Sequence, residues 1–369
     1  MTLDSVEIFH VSMRLRSPFQ TSFGVEHDRN CLILRVDSQG ESGWGECVAG
    51  EFPGYSYETA ETAWHVLKDF FIPAVARVQI TTPEGLRTAL ASFKGHPLAR
   101  AGLELALWDL QGRQKNQSLR AMLGASKEKV PVGVSIGVQK DLEAMLDAVE
   151  GYLAQGYQRI KLKIKPGTDI EIVAGVRRAY PKIALQVDAN SAYRIEDSPH
   201  LCLLDDFDLQ LIEQPLAEDD ILEHAQLQSQ LETPLCLDES ILSERHARLA
   251  LDVGACRVIN IKPGRVGGLS EAKAIHDHCT QRGIPVWCGG MLETNVGRAA
   301  NVALAALPGF TLPGDISASE RYYSQDIAEP GFRLNPDSTL DVPNLPGLGI
   351  EMDMKALERF TLRKTRITL

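Results

Sequence analysis

Three acidic residues recur at one interval. Asp188, Glu213 and Asp238 stand 25 and 25 residues apart (188, 213, 238). Each falls in a short β-like run, IALQVD, LQLIEQP or PLCLDES. One strand-plus-helix unit per interval brings the three carboxylates to equivalent ends of adjacent parallel strands. Alone they would repel and raise one another's pKa. A hard cation with room left for substrate oxygens resolves the repulsion, which points to Mg²⁺, with Mn²⁺ or another divalent ion as a substitute. One strand-end carboxylate is commonplace in a barrel, where it caps a helix or pairs in a loop; three in register are not.

Lysines flank them. Lys161 and Lys163 lie in RIKLKI (159–164), where strand alternation puts them on one face. Lys165 shares that parity, but Pro166-Gly167 places it in the turn. Lys262 closes RVINIKP. These are the second and sixth of eight such runs, so Lys163 and Lys262 face each other across a barrel mouth. A buried lysine needs a partner, and simple ion pairing to the nearby carboxylates is the alternative to chemistry. The chemistry is removal of a proton alpha to a carboxylate. A lysine takes the proton and the cation, as Lewis acid, stabilises the resulting enediolate. Lys161 beside Lys163 disfavours a second charge and lowers its pKa, which makes an amine a usable base near neutral pH.

The elements that hold these residues alternate from about residue 131 onward. Further β-like runs are PVGVSIGV (131–138), PVWCGG (285–290) and FTLPGD (310–315). Between the runs lie stretches with helical apolar spacing, such as DLEAMLDAVEGYLAQG and LSEAKAIHDHCTQRG. Several end in glycine, at Gly156, Gly254 and Gly283, as helix C-termini do. Eight strands separated by helices read as an α/β barrel with its site at the strand C-termini. Residues 1–125 follow another rhythm, strand-like segments then helical ones around 57–75, 83–93 and 97–115, which predicts a separate α+β domain. The barrel spans 126–319. The tail, 320–369, is Pro/Gly-rich, reads as irregular and packs back on the first domain.

With 44% hydrophobic and 24% charged residues over 369 positions, the chain is an ordinary globular protein of about two domains. Its net charge of −11, without a Lys/Arg-rich block, argues against nucleic acid or an anionic membrane as partner. It does not argue against an anionic small molecule, because a metal and a few lysines make one pocket positive. The 7 cysteines are scattered without a CxxC pair, so neither disulfides nor a zinc ribbon is expected and a reduced cytoplasm fits. The start, MTLDSVEIFHVSM, lacks the signal-peptide pattern, and no apolar run suits a membrane span.

As an ordered set, RIKLKIKPG, VDANSAY, IEQPL, LDES, NIKPGRVGG, WCGGMLET and LPGD resemble the enolase superfamily, muconate-lactonizing subgroup. More closely, they resemble the o-succinylbenzoate synthase/N-succinylamino acid racemase (N-acylamino acid racemase) family. The likeness extends to PFQTSFG (18–24), GWGECV (43–48), FKGHPLA (93–99) and ALWDL (106–110). It implies a modified (β/α)₇β TIM-type barrel under an N-terminal α+β capping domain. By the same matching Asp188, Glu213 and Asp238 bind the metal, Lys163 and Lys262 are the acid/base pair and Lys161 modulates them. A homo-oligomer, often an octamer, is implied as well. Two departures narrow the choice. The mandelate-racemase subgroup places a histidine base after strand seven, where WCGGMLET has none. Dipeptide epimerases carry DxD after strand eight, where GDISAS offers only Asp315.

Other candidates for the substrate pocket are weaker. Asn190 shares the direction of Asp188 and either binds substrate, orients the ligand or makes a turn. The resemblance assigns Phe19, Gly24, Gly50 and Tyr55 to two loops that close over the substrate. Ser135, Met291 and Asp315 sit at strand ends and can line the pocket, the first two more naturally as packing. Arg265 orients Lys262 or solvates a loop. His276 and His278 of HDHC lie mid-helix and cannot share a face. The expected reactions are dehydration to o-succinylbenzoate, a menaquinone-biosynthesis lyase step, and 1,1-proton transfer in N-acylamino acids, an isomerase step. Both begin with the same enediolate. A muconate-type cycloisomerase and a non-catalytic carboxylate-binding barrel are the alternatives.

Overall fold

The computed structural model describes residues 3–22, 24–78, 80 and 82–369; Phe23 of PFQTSFG lies outside them. Three antiparallel strands open the chain, β1 (Ser5–Gln20), β2 (Val25–Ser38) and β3 (Glu41–Cys47). Helical turns follow over Ala60–Val66, Leu67–Phe71 and Ile72–Ala76, then Gly85–Ala89, then the long helix α1 (Pro97–Lys115). Alternate residues Val6, Ile8, Leu32 and Leu34 form an apolar core with Leu103 and Leu107 of α1. GWGEC explains how closely α1 lies on β3: a Cβ at Gly43 would fall 2.2 Å from the Ala106 carbonyl oxygen, and one at Gly45 would fall 2.1 Å from that of Gly102.

The second part alternates strand and helix. The strands are β4 (Val134–Ile136), β5 (Arg159–Lys163), β6 (Ala184–Asp188), β7 (Ile212–Glu213), β8 (Leu235–Leu237), β9 (Val258–Ile261) and β10 (Val286–Cys288). They form one parallel sheet in sequence order. The helices between them include α2 (Leu142–Ala154), α3 (Asp169–Ala179), α4 (Ile221–Gln228), α5 (Glu244–Asp252), α6 (Leu269–Gln281) and α7 (Asn295–Ala305). Asp141, Asp220, Ser243 and Thr294 cap α2, α4, α5 and α7 through side-chain oxygens that accept backbone N–H groups. After α5 and α6, Gly254 and Gly283 take the positive φ (75° and 67°) that such helix ends favour.

FTLPGD closes the barrel but is not a regular strand. Pro313 has no N–H to give to a ladder. Single bridges hold the run instead, Val286 with Phe310 and Val132 with Gly314. Asp315 N donates to the Cys288 carbonyl (2.9 Å) and Gly133 N to that of Gly314 (2.8 Å), so both edges are joined. The result is a (β/α)₇β barrel with an antiparallel cap.

The last residues are more regular than their composition predicts. A helix over Met354–Phe360 leads into β11 (Thr361–Thr368), which pairs antiparallel with β1, Thr368 opposite Ser5 and Ile367 opposite Val6. The cap sheet therefore reads β11-β1-β2-β3. No helix among the described residues is long and apolar enough to cross a membrane.

Candidate active site

Register sets the site. Lys163 pairs with Asp188 across β5 and β6, and Asp188 with Glu213 across β6 and β7. Asp238 follows β8 directly, and Lys262 follows β9 as the residue before a helical turn at Pro263–Val266. Asp188, Glu213 and Asp238 are all but fully buried at this end of the barrel. Below them Leu211, Cys236, Val258 and Trp287 form one apolar cluster, with the buried Arg159 guanidinium against the Trp287 ring.

Each carboxylate is matched by a cation. Lys161 Nζ lies 2.5 Å from Glu213 Oε2, 2.6 Å from Asp315 Oδ2 and 2.9 Å from Asp188 Oδ2. Lys163 Nζ lies 2.7 Å from the same Asp188 oxygen and donates to Asn190 Oδ1 at 2.5 Å. Lys262 Nζ lies 2.6 Å from Asp238 Oδ2. Arg265 pairs with the other Asp238 oxygen, and its Nε and Nη2 donate to the carbonyls of Ile241 and Asn260. In this arrangement no three Asp, Glu, His or Cys side chains among the described residues are grouped to hold a metal. The ammonium groups lie where the carboxylates demand positive charge.

The electrostatics follow from these contacts. Burial opposes ionisation of Asp188, but Lys161 and Lys163 outweigh it and hold its carboxyl well below the usual range. Glu213 is pushed up by burial and by Asp188. Burial likewise opposes charge on Lys161, yet Asp188, Asp315 and Glu213 keep its pKa above the ordinary lysine value. Lys262 is raised against its own burial by Tyr55 and Glu213. Asp315 drops to about 2 despite burial, because Arg159 and Lys161 face it.

A cavity of about 670 Å³ opens above this layer. Lys161, Lys163, Lys262 and Asn190 reach it from the barrel, as do Ser135, Met291 and Asp315. Phe19, Gly24, Gly50 and Tyr55 line it from the cap. The buried Ser135 hydroxyl lacks a protein partner there. Arg265 does not line the cavity; it holds Asp238 from behind. The two HDHC histidines take different partners, His276 stacking on Phe310 and His278 reaching Glu244.

Four polar residues of the same motifs, not marked out by type, support these groups. Asn260 Nδ2 donates to Glu213 Oε1 at 2.7 Å. Gln214 Oε1 accepts the backbone N–H groups of Asp238 and Ser240. Glu239 accepts from Asn190 Nδ2 at 2.8 Å, while its other oxygen is buried without a partner. Arg159 pairs with Asp315. Arg159 and Asn260 share the inward parity of Lys161 and Lys262, so the alternation that found the lysines also marks them.

An α/β barrel with lysines and carboxylates converging on a capped strand-end cavity defines an enolase-type enzyme fold. The chain belongs to the mandelate racemase/muconate lactonizing enzyme family of the enolase superfamily. Residues 4–124 match that family's N-terminal domain, and residues 144–356 match the enolase C-terminal domain-like family. The N-succinylamino acid racemase of an Amycolatopsis species is 50% identical over 368 residues, covering 100% of both chains. The o-succinylbenzoate synthase of Geobacillus kaustophilus is 48% identical, covering 98% of this chain and 96% of that protein. An enolase-superfamily crystal structure from Listeria innocua superposes with a TM-score of 0.96 at 42% identity, covering 100% of this chain and 99% of that one.

Proposed function

We propose that this protein abstracts the proton alpha to a carboxylate, acting as an o-succinylbenzoate synthase, an N-succinyl/N-acylamino acid racemase, or both. One observation carries the reading: Lys163 and Lys262 reach the same cavity from the ends of the second and sixth strands of the seven-stranded parallel sheet. A substrate alpha carbon between them meets an amine on each face, so one lysine takes a proton and the other returns one. Dehydration starts from the same proton removal. The nearby names support both reactions and do not separate them.

Asp188, Glu213 and Asp238 are the residues we assign to a divalent cation, Mg²⁺ by preference. Their donors are all oxygen, as that ion requires. The unpartnered buried Glu239 oxygen beside them is a further oxygen donor. When bound, the cation supplies charge that stabilises the electron pair left on the substrate carboxylate. Asn190 holds Lys163, and Arg265 fixes Asp238 beside Lys262. Ser135, Phe19, Tyr55, Met291 and Asp315 shape the pocket around the small carboxylate substrate. We assign residues 1–125, with the tail 320–369, to the cap and 126–319 to the catalytic barrel. On family likeness we take the enzyme to be a cytoplasmic homo-oligomer.

The test compares kcat/KM for the cyclohexadiene carboxylate and for N-succinylamino acids in one preparation. Turnover of either supports the reading, and the ratio names the reaction. Failure on both, with lactone formation from a muconate, would hand the protein to the cycloisomerases.

A further inference from the structure

Below Lys161 on β5, Arg159 carries a positive charge beneath the layer that meets the cavity. Its side chain is 1% exposed. Nη1 lies 2.5 Å from Asp315 Oδ1, and Nη2 donates to the Pro313 carbonyl at 3.1 Å. The guanidinium lies 5.8 Å from the centre of the Trp287 ring. On the neighbouring run a Cβ at Gly133 would come within 2.5 Å of its Cζ, so only glycine leaves it room.

Asp315 is shared. Arg159 takes Oδ1, and Lys161 takes Oδ2 at 2.6 Å. Lys161 then spans Asp315 on one side and Asp188 and Glu213 on the other. We propose that Arg159 is a positioning residue for proton transfer at Lys163: through Asp315 it fixes where the Lys161 ammonium sits against Asp188. This rests on the function proposed above.

The physical reason is charge balance. Without Arg159, Asp315 is a buried carboxylate with a single cationic partner, and uncompensated buried charge is expensive. Lys161 is then drawn towards Asp315 and away from Asp188 Oδ2, the atom it shares with Lys163. Lys262 is held separately by Asp238 and Tyr55. Neither of these contacts Arg159 or Asp315 in any hydrogen bond or ion pair of the site, so the disturbance falls on one lysine. A plainly structural arginine predicts something else, lower stability with both directions slowed together.

The experiment follows alpha-proton exchange of each enantiomer of an N-succinylamino acid in D₂O by NMR, with urea unfolding in parallel. Lys163→Ala identifies the enantiomer that depends on Lys163. Arg159→Met is expected to slow exchange of that enantiomer about tenfold or more and the other by less than about threefold. The double variant Arg159→Met/Asp315→Asn removes both charges, and with them the pull on Lys161, so it should recover most of the stability and most of the exchange that depends on Lys163. It also keeps the test available if Arg159→Met alone does not fold. Equal slowing of both enantiomers overturns the proposal, as does a double variant that regains stability while exchange of the Lys163-dependent enantiomer stays slow. A wild type that exchanges neither enantiomer and dehydrates nothing would instead sink the function on which the proposal rests.

Discussion

Tyr55 of the cap touches Lys262 of the barrel: its hydroxyl lies 3.2 Å from Lys262 Nζ, and its ring centre lies 4.5 Å from the same nitrogen. The hydroxyl also donates to Asp238 Oδ1 at 3.0 Å. One side chain from residues 48–59 thus joins a lysine and a carboxylate that belong to the other domain. The position of the cap and the aim of Lys262 are therefore one structural variable.

Tyr55→Phe keeps the ring over Lys262 and removes the hydroxyl. The hydroxyl makes two hydrogen bonds to charged partners, to Asp238 and from Lys262, each of a kind worth about 1.5–3 kcal/mol, so kcat should fall roughly tenfold or more and Tm should fall measurably. Exchange that depends on Lys262 should suffer more than exchange that depends on Lys163. Equal loss on both sides would mean that Tyr55 only shapes the pocket.

Lys163→Ala and Lys262→Ala should each abolish racemisation, which needs both faces. In D₂O each variant should exchange the alpha proton of one enantiomer, and the two should choose opposite ones. Proton NMR of the alpha position reads this directly. A variant exchanging both enantiomers at similar rates would send the search to another base.

Chelation should remove activity, and Mg²⁺ or Mn²⁺ should restore it, because three carboxylates at one strand-end layer call for a cation. Asp238→Asn should weaken metal affinity measured by calorimetry, since one anionic donor becomes neutral. Full turnover after exhaustive EDTA treatment and dialysis would refute the metal assignment.

Stability should carry a pH signature from Glu58. Its buried carboxylate accepts the N–H groups of Leu98 and Ala99 at the start of α1. Burial raises its pKa from 4.5 to about 7, those two bonds opposing. The folded form then keeps a proton that the unfolded chain has already lost. Its stabilising contribution is complete below about pH 4.5 and declines as pH rises to about 7. Urea unfolding should show the stability of wild type relative to Glu58→Gln falling by about 1–3 kcal/mol over that window. A constant difference would place the Glu58 pKa near its ordinary value.

The cluster of lysines and carboxylates was legible because it obeys a period. Strand alternation predicts Lys161 and Lys163 together, and the 25-residue interval predicts Asp188, Glu213 and Asp238 in register. Arg159 obeys the same alternation, but nothing in its type announces a charge buried next to Trp287. β11 was illegible for the opposite reason. Leu362 is 63% exposed, and Arg363, Lys364 and Arg366 are exposed too, so the edge strand shows no apolar face. FTLPGD reads as a strand and closes the barrel, yet Pro313 breaks the ladder that its neighbours form.

The pairing of residues 5–11 with residues 361–368 has a consequence for synthesis. A chain made from its amino end exposes β1 before its partner, with one edge lacking a neighbour until residues 361–368 have left the ribosome. The eight barrel segments emerge first and can close during that interval, since domains form as units while the chain is made. An unpaired strand edge meanwhile invites pairing with other chains. The sheet that roofs the cavity is thus completed only after the barrel segments have emerged, although three of its strands precede them in the chain.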